Sequence, residues 1–134
     1  VKLTDVIACP HLANLRSLPP ALARCREIAK RYDAELGGSY ARPHPGELPS
    51  PWFYTAYVSD VPGFIAHAAE HGVEVKRPHR RNDKYHFARH AQASLPNTDR
   101  AQASYIAIPC GAWMSDSDVE RVIAMVRGYE GGLL

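Results

Sequence analysis

Eleven prolines divide this 134-residue chain, and their positions decide where helices and strands can run. Proline lacks a backbone N–H and clashes with the preceding helical turn, so it suits a helix's first turn and breaks its interior. Pro10 therefore predicts a kink or a delayed start in a first helix that Thr4 or Asp5 can cap. Pro19-Pro20 predicts the end of that helix and the start of a second. The second helix carries Leu22, Cys25, Ile28, Ala29, Tyr32 and Leu36 on one stripe and stops at Gly37-Gly38. Pro43, Pro45, Pro49 and Pro51 mark residues 39–51 as an irregular connection.

Beyond that connection the pattern changes. Residues 52–58 are aromatic and branched, the strongest strand signal in the chain. Ser59 or Asp60 caps a helix with Pro62 near its start and Gly72 as its stop. Val73-Glu74-Val75-Lys76 alternates as a short strand. Residues 78–96 are polar and basic, with room for at most one short helix. Residues 104–108 read as a third strand ended by Pro109. Ser115 and Asp118 have capping-box spacing at the start of a last helix whose apolar face is Val119, Val122, Ile123 and Val126. The expected fold is α+β, a small, mainly antiparallel three-stranded sheet flanked by helices. Residues 1–38 are expected to form a helical hairpin and residues 39–134 a small α+β domain.

The totals exclude several classes. Apolar residues make up 46% and charged residues 22%, an ordinary globular balance. No apolar run approaches the roughly 20 residues that span a bilayer. The start of the chain lacks a signal-peptide pattern, so no membrane role is expected and the cytoplasm is the expected compartment. The first residue is not Met, and a helix opens with almost nothing ahead of it; the reading is a segment of a longer chain. Cys9, Cys25 and Cys110 are odd in number and widely spaced, so they read as buried free thiols. His67/His71 and His86/His90 have helical ligand spacing, yet no third ligand accompanies either pair, and no metal site is assigned. No GxSxG, GxGxxG or P-loop occurs.

Net charge is only +2, but residues 76–90 hold six cationic side chains against Asp83 alone. Such a run attracts anions. Within it, His79-Arg80-Arg81-Asn82-Asp83-Lys84-Tyr85 places guanidinium forks, an amide and a phenol between two strands. Arginine forks suit diphosphates and carboxylates, and an Asn amide can read a sugar hydroxyl.

Four stretches together resemble the DegT/DnrJ/EryC1/StrS sugar aminotransferases. Lys2-Leu3-Thr4-Asp5-Val6-Ile7-Ala8 with Leu12-Ala13-Asn14-Leu15 is similar to the family's "R/K-M/L-T-D-x-x-A…A-Q-L" helix, with Asn14 where Gln is usual. Arg26 to Tyr32 resembles "R-x-I-A-x-R-Y". His79 to Tyr85 resembles one subgroup's "V-H-x-R-N-D-K-Y" loop, continued by Leu95-Pro96-Asn97-Thr98-Asp99. Ile106-Ala107-Ile108-Pro109 with Ser115 to Val119 is similar to the closing "S-I-P…M-T-D-E-D-V" segment. Pro10 and His11 depart from the family's regular helix.

The resemblance implies the C-terminal small domain of a fold-type I enzyme. Such enzymes use pyridoxal 5′-phosphate (PLP) to move an amino group from glutamate to a nucleotide-linked keto-sugar, usually as homodimers. It further implies that the Schiff-base lysine, its carboxylate partner and most of the phosphate site lie in a large domain ahead of Val1. This chain is then expected to bind no PLP by itself and to contain no catalytic or cofactor-binding residue. Lys2, His79, Arg81 and Asn82 match substrate-side positions: Lys2 beside the partner subunit's active site, Arg81 toward an anionic group, Asn82 toward the loop or the sugar. Two other readings stay open. One is a non-catalytic module that binds a nucleotide-sugar or a partner chain. The other is a basic nucleic-acid-binding protein, against which the scarcity of stacking aromatics (Tyr85 and Phe87) weighs.

Overall fold

A computed structural model describes residues 4–37, 50–88 and 93–134. Helix α1 (Asp5–Leu36) leads to strand β1 (Phe53–Tyr57), helix α2 (Val61–Glu70), two short 3-10 turns (Asn82–Lys84 and His86–Ala88), helix α3 (Pro96–Ser104), strand β2 (Tyr105–Pro109) and helix α4 (Asp116–Arg127). β1 and β2 pair antiparallel, from Phe53 opposite Pro109 to Tyr57 opposite Tyr105.

The three-stranded sheet expected from the sequence is corrected to two strands and one rung. Lys76 and Ala107 exchange both backbone hydrogen bonds, at 3.3 and 2.8 Å, as an isolated antiparallel bridge. In an antiparallel ladder the next hydrogen-bonded pairs lie two residues away on each side. In this register those pairs are Glu74 with Pro109 and Pro78 with Tyr105. Each contains a proline, which cannot donate, so the ladder fails in both directions at once. Val73 and Val75 are still buried, which holds the segment alongside β2.

The hairpin over residues 1–38 is also corrected. α1 runs as one helix of 32 residues through Pro10, Pro19 and Pro20, and ends at Gly37, whose φ of +65° suits a residue without Cβ. Proline's fixed φ fits a helix; what it removes is a bond to the carbonyl four residues back. Those carbonyls belong to Val6, Leu15 and Arg16, all on exposed residues that water can reach. The prolines therefore interrupt the ladder without ending the helix.

The core lies on one face of the sheet. Alternate β1 residues Tyr54 and Ala56 point into it with Ile106 and Ile108 of β2. Ile28, Ala29 and Tyr32 of α1, Phe64 and Ala68 of α2, and Val119, Val122, Ile123 and Val126 of α4 cover them. Tyr32 donates to the Pro109 carbonyl at 3.0 Å and meets the Tyr54 ring edge-on at 5.3 Å. α2 is capped by Asp60, which accepts from Gly63 N, and Gly72 at φ +69° follows it. At α4 the capping box is complete: Asp118 N donates to Ser115 Oγ, and Ser115 N donates to Asp118 Oδ2. Arginines bind α1 to α4: Arg24 to Asp116 at 2.6 Å, Arg31 to Glu120 at 3.3 Å, and Arg127 to Glu35 at 3.3 Å.

The first half of α1 buries nothing. Val6, Leu12, Leu15 and Leu18 stand more than half exposed. Cys9 is exposed as well, which corrects the expectation of three buried thiols; Cys110 is buried and Cys25 half-buried. α3 is an element that the sequence reading did not assign, and none of its residues is buried.

Candidate functional site

The basic loop leaves the sheet at Pro78, where pairing ends. Its first residue is held by the backbone: Tyr105 Oη accepts from His79 N at 2.9 Å and donates to His79 O at 2.7 Å. The His79 ring packs against Trp52 and Phe53, with centroids 6.2 and 5.7 Å away. A 3-10 turn follows, in which Lys84 N donates to Arg81 O and Tyr85 N to Asn82 O, both at 3.2 Å.

Arg81 sits at the centre, its side chain only 12% exposed. Nε and Nη2 donate to the two Asp83 carboxylate oxygens, both at 2.8 Å, a fork on a fork. Nη1 donates to Asp99 Oδ1 on α3. These hydrogen bonds, with Asp83 first and Asp99 second, raise the Arg81 pKa further above its ordinary value. In return the Arg81 fork holds the Asp83 carboxyl below the usual carboxylate range. The guanidinium expected to meet an external anion thus already faces two internal carboxylates.

Two clefts flank Arg81. One, about 440 Å³, is walled by Asp83, Lys84, Tyr85, His86 and Asp99. The other, about 450 Å³, is walled by His79, Arg80, Asn82, Thr98, Gln102 and Tyr105, with no carboxylate among the described residues that line it. Asn82 is exposed, and its side chain makes no hydrogen bond among the described residues. Arg80 lies over the Tyr85 ring at 5.5 Å and has no carboxylate partner among the described residues. Tyr85 in turn stacks on Phe87 at 5.6 Å.

The structure brings His79, Arg81 and Asn82 to one place, while Lys2 lies outside the described residues. The sequence reading named Arg80 and Asp99 within its motifs without giving either a role, and it missed Tyr105; Asp99 and Tyr105 hold the loop, and Arg80 is a cation without a carboxylate partner among the described residues. The charge run itself is partly spent. Lys76 pairs with Glu74, and Arg77 donates to the Gln102 carbonyl and packs on the Tyr105 ring.

The described lysines, Lys30, Lys76 and Lys84, all stand on the surface. A Schiff-base lysine works from a desolvated pocket beside groups that depress its pKa. Lys30 is exposed, Lys76 is 71% exposed beside Glu74, and Lys84 is 62% exposed with Nζ 3.9 Å from Asp83. His67 and His71 do face each other at 4.3 Å, but His67 Nε2 is bonded to the Met125 carbonyl at 2.9 Å; His90 lies outside the described residues. Among the described residues no helix is long and apolar enough to cross a membrane.

Comparison with known proteins gives one consistent result. The model of the DegT/DnrJ/EryC1/StrS aminotransferase family matches residues 1–127. The crystal structure of AtS13 from Actinomadura melliaura is 31% identical with a TM-score of 0.87, covering 95% of this chain and 35% of that one. The sugar aminotransferase CalS13 from Micromonospora echinospora is 30% identical with a TM-score of 0.81, covering 88% of this chain and 33% of that one. Spr1654 from Streptococcus pneumoniae, in its PLP form, shares the fold at 23% identity with a TM-score of 0.71, covering 92% of this chain and 34% of that one. The chain therefore spans about a third of the length of the structures it matches. A search of curated proteins finds no match.

Proposed function

The chain belongs to the DegT/DnrJ/EryC1/StrS aminotransferase family, and on that premise we propose that it is the C-terminal portion of a PLP-dependent aminotransferase acting on a nucleotide-linked keto-sugar. The observation that carries this reading is the match along residues 1–127 to the family, combined with a likeness to only a third of each neighbouring structure. In the proposed enzyme PLP supplies the electron sink for amino transfer. Its lysine belongs to a large domain outside these 134 residues, on the same polypeptide or on a partner chain. The whole is a cytoplasmic homodimer. This chain contributes the small domain, with His79, Arg81 and Asn82 on the substrate side and Lys2 beside the partner subunit's active site.

The surface positions of Lys30, Lys76 and Lys84 support assigning the cofactor anchor elsewhere. The pairing of Lys76 with Glu74 and of Arg81 with Asp83 and Asp99 speaks against the nucleic-acid reading, because fewer cations remain for phosphates than the sequence suggests.

Two experiments test the proposal. The isolated chain, mixed with PLP and reduced with borohydride, is expected to show no adduct concentrated on a single lysine; a stoichiometric adduct on one lysine would overturn the assignment. A chimera in which this chain replaces the matching third of CalS13 is expected to bind PLP and to aminate a nucleotide-linked keto-sugar. A folded, PLP-loaded chimera without turnover on such substrates would count against the substrate class.

A further inference from the structure

Of the two guanidiniums at the loop, the one buried deeper is the less able to receive a ligand. Arg81 faces two carboxylates, so its own group of three charges is net negative when all are ionised. Asp83 takes two of its donors in a bidentate fork, and Asp99 fastens it to α3, 18 residues along the chain. An incoming anion at Arg81 would have to approach both carboxylates. The same bonds set the shape of the turn, because Arg81 and Asp83 lie within it and Asp99 lies outside it.

Arg80 has the opposite surroundings. It is exposed and has no carboxylate partner among the described residues. The Tyr85 ring face supports its guanidinium at 5.5 Å, a contact that holds the planar group without using its N–H donors. It lines the cleft whose described wall has no carboxylate, beside the exposed amide of Asn82 and the hydroxyl of Thr98. An exposed, oriented fork next to a neutral amide fits a phosphate or diphosphate better than a single point charge would.

We propose that Arg81 is a positioning residue, and that Arg80 is the cation that meets the anionic group of the substrate, in the cleft between residues 78–82 and α3. This deepens the aminotransferase reading by naming a diphosphate subsite and dividing the loop's work. Asn82 completes the subsite as a donor to a phosphate oxygen or an adjoining hydroxyl, and His79 is kept in place by Tyr105.

The test uses this chain and inorganic pyrophosphate, so its outcome does not depend on turnover. In a titration followed by the NMR signals of the arginine Nε–H groups, the Arg80 signal is expected to move saturably while the Arg81 signal stays in place. Arg80→Gln is expected to weaken pyrophosphate binding about tenfold or more, the loss of one charge-assisted contact, with an unchanged melting temperature. Arg81→Lys keeps the charge and removes the fork; it is expected to speed amide hydrogen exchange at residues 82–85, which loss of a mere binding charge would not do. A moving Arg81 signal beside a static Arg80 overturns the proposal, as do unchanged binding in Arg80→Gln and unchanged exchange in Arg81→Lys. Absence of saturable binding overturns the subsite and leaves the aminotransferase reading standing, whereas a folded, PLP-loaded CalS13 chimera without turnover but with intact pyrophosphate binding counts against the substrate class and leaves the subsite standing.

Discussion

Tyr32 is where α1 is fastened to the sheet, and shortening it in two steps measures how firmly. The side chain is fully buried, with its hydroxyl on the Pro109 carbonyl at 3.0 Å and its ring edge-on to Tyr54. Burial, ahead of its charged neighbours, pushes the phenol pKa upward, so the group donates as a neutral hydroxyl at any ordinary pH. Tyr32→Phe keeps the ring and removes one donor, leaving the Pro109 carbonyl without it. The expected cost is about 1 kcal/mol. For a chain of this length that lowers the melting temperature by about 4 °C. Tyr32→Ala removes the ring as well, opens a cavity and loses the Tyr54 contact, at about 3–5 kcal/mol. Thermal and urea denaturation followed by circular dichroism provide the assay. If the Ala variant loses less than about 1 kcal/mol, the second half of α1 is not part of this core, and the packing derived above is wrong.

Three further outcomes are expected. The Ser115 hydroxyl and amide lower the Asp118 pKa, so this contribution to stability is present above the unfolded carboxylate range and is lost as pH falls through the folded value; Ser115→Ala should raise the Asp118 pKa in an NMR titration, and an unmoved value would remove the capping box as its cause. Burial pushes the Cys110 thiol up to about 12, so in the native chain at mild alkaline pH iodoacetamide should label exposed Cys9 well before Cys110, and equal rates would contradict the burial. The bare apolar face of α1 should make the isolated chain self-associate, with Leu12→Glu plus Leu15→Glu reducing it; sedimentation as a monomer at every concentration would refute this.

Local chemistry was legible in the sequence, and partnerships between distant segments were not. The capping box at Ser115 and Asp118, the Asp60 cap and the strand at residues 53–57 follow from short-range rules and are found where those rules put them. Pro19-Pro20 misled because the rule against proline assumes that the freed carbonyls have nowhere to go, and here they lie on exposed residues. The third strand misled for the converse reason. Alternation in residues 73–76 is real, but only the register shows that Pro109 and Pro78 fall in the two neighbouring pairs. α3 has no apolar stripe to detect and buries no residue. At the site, the motif drew attention to Arg81; Asp83, two residues on, neutralises it first, and the second carboxylate, Asp99, meets it only in the fold.

The lone rung at Lys76 also bears on how copies of this chain can meet. A sheet margin invites a foreign strand when it offers a long, flat row of open peptide groups. Here the margin is one rung long, carries an exposed lysine and is halted by an imino ring on either side. Cross-β growth has little to template on at that margin, and the exposed leucines of the first helix offer the isolated chain a helical route to association.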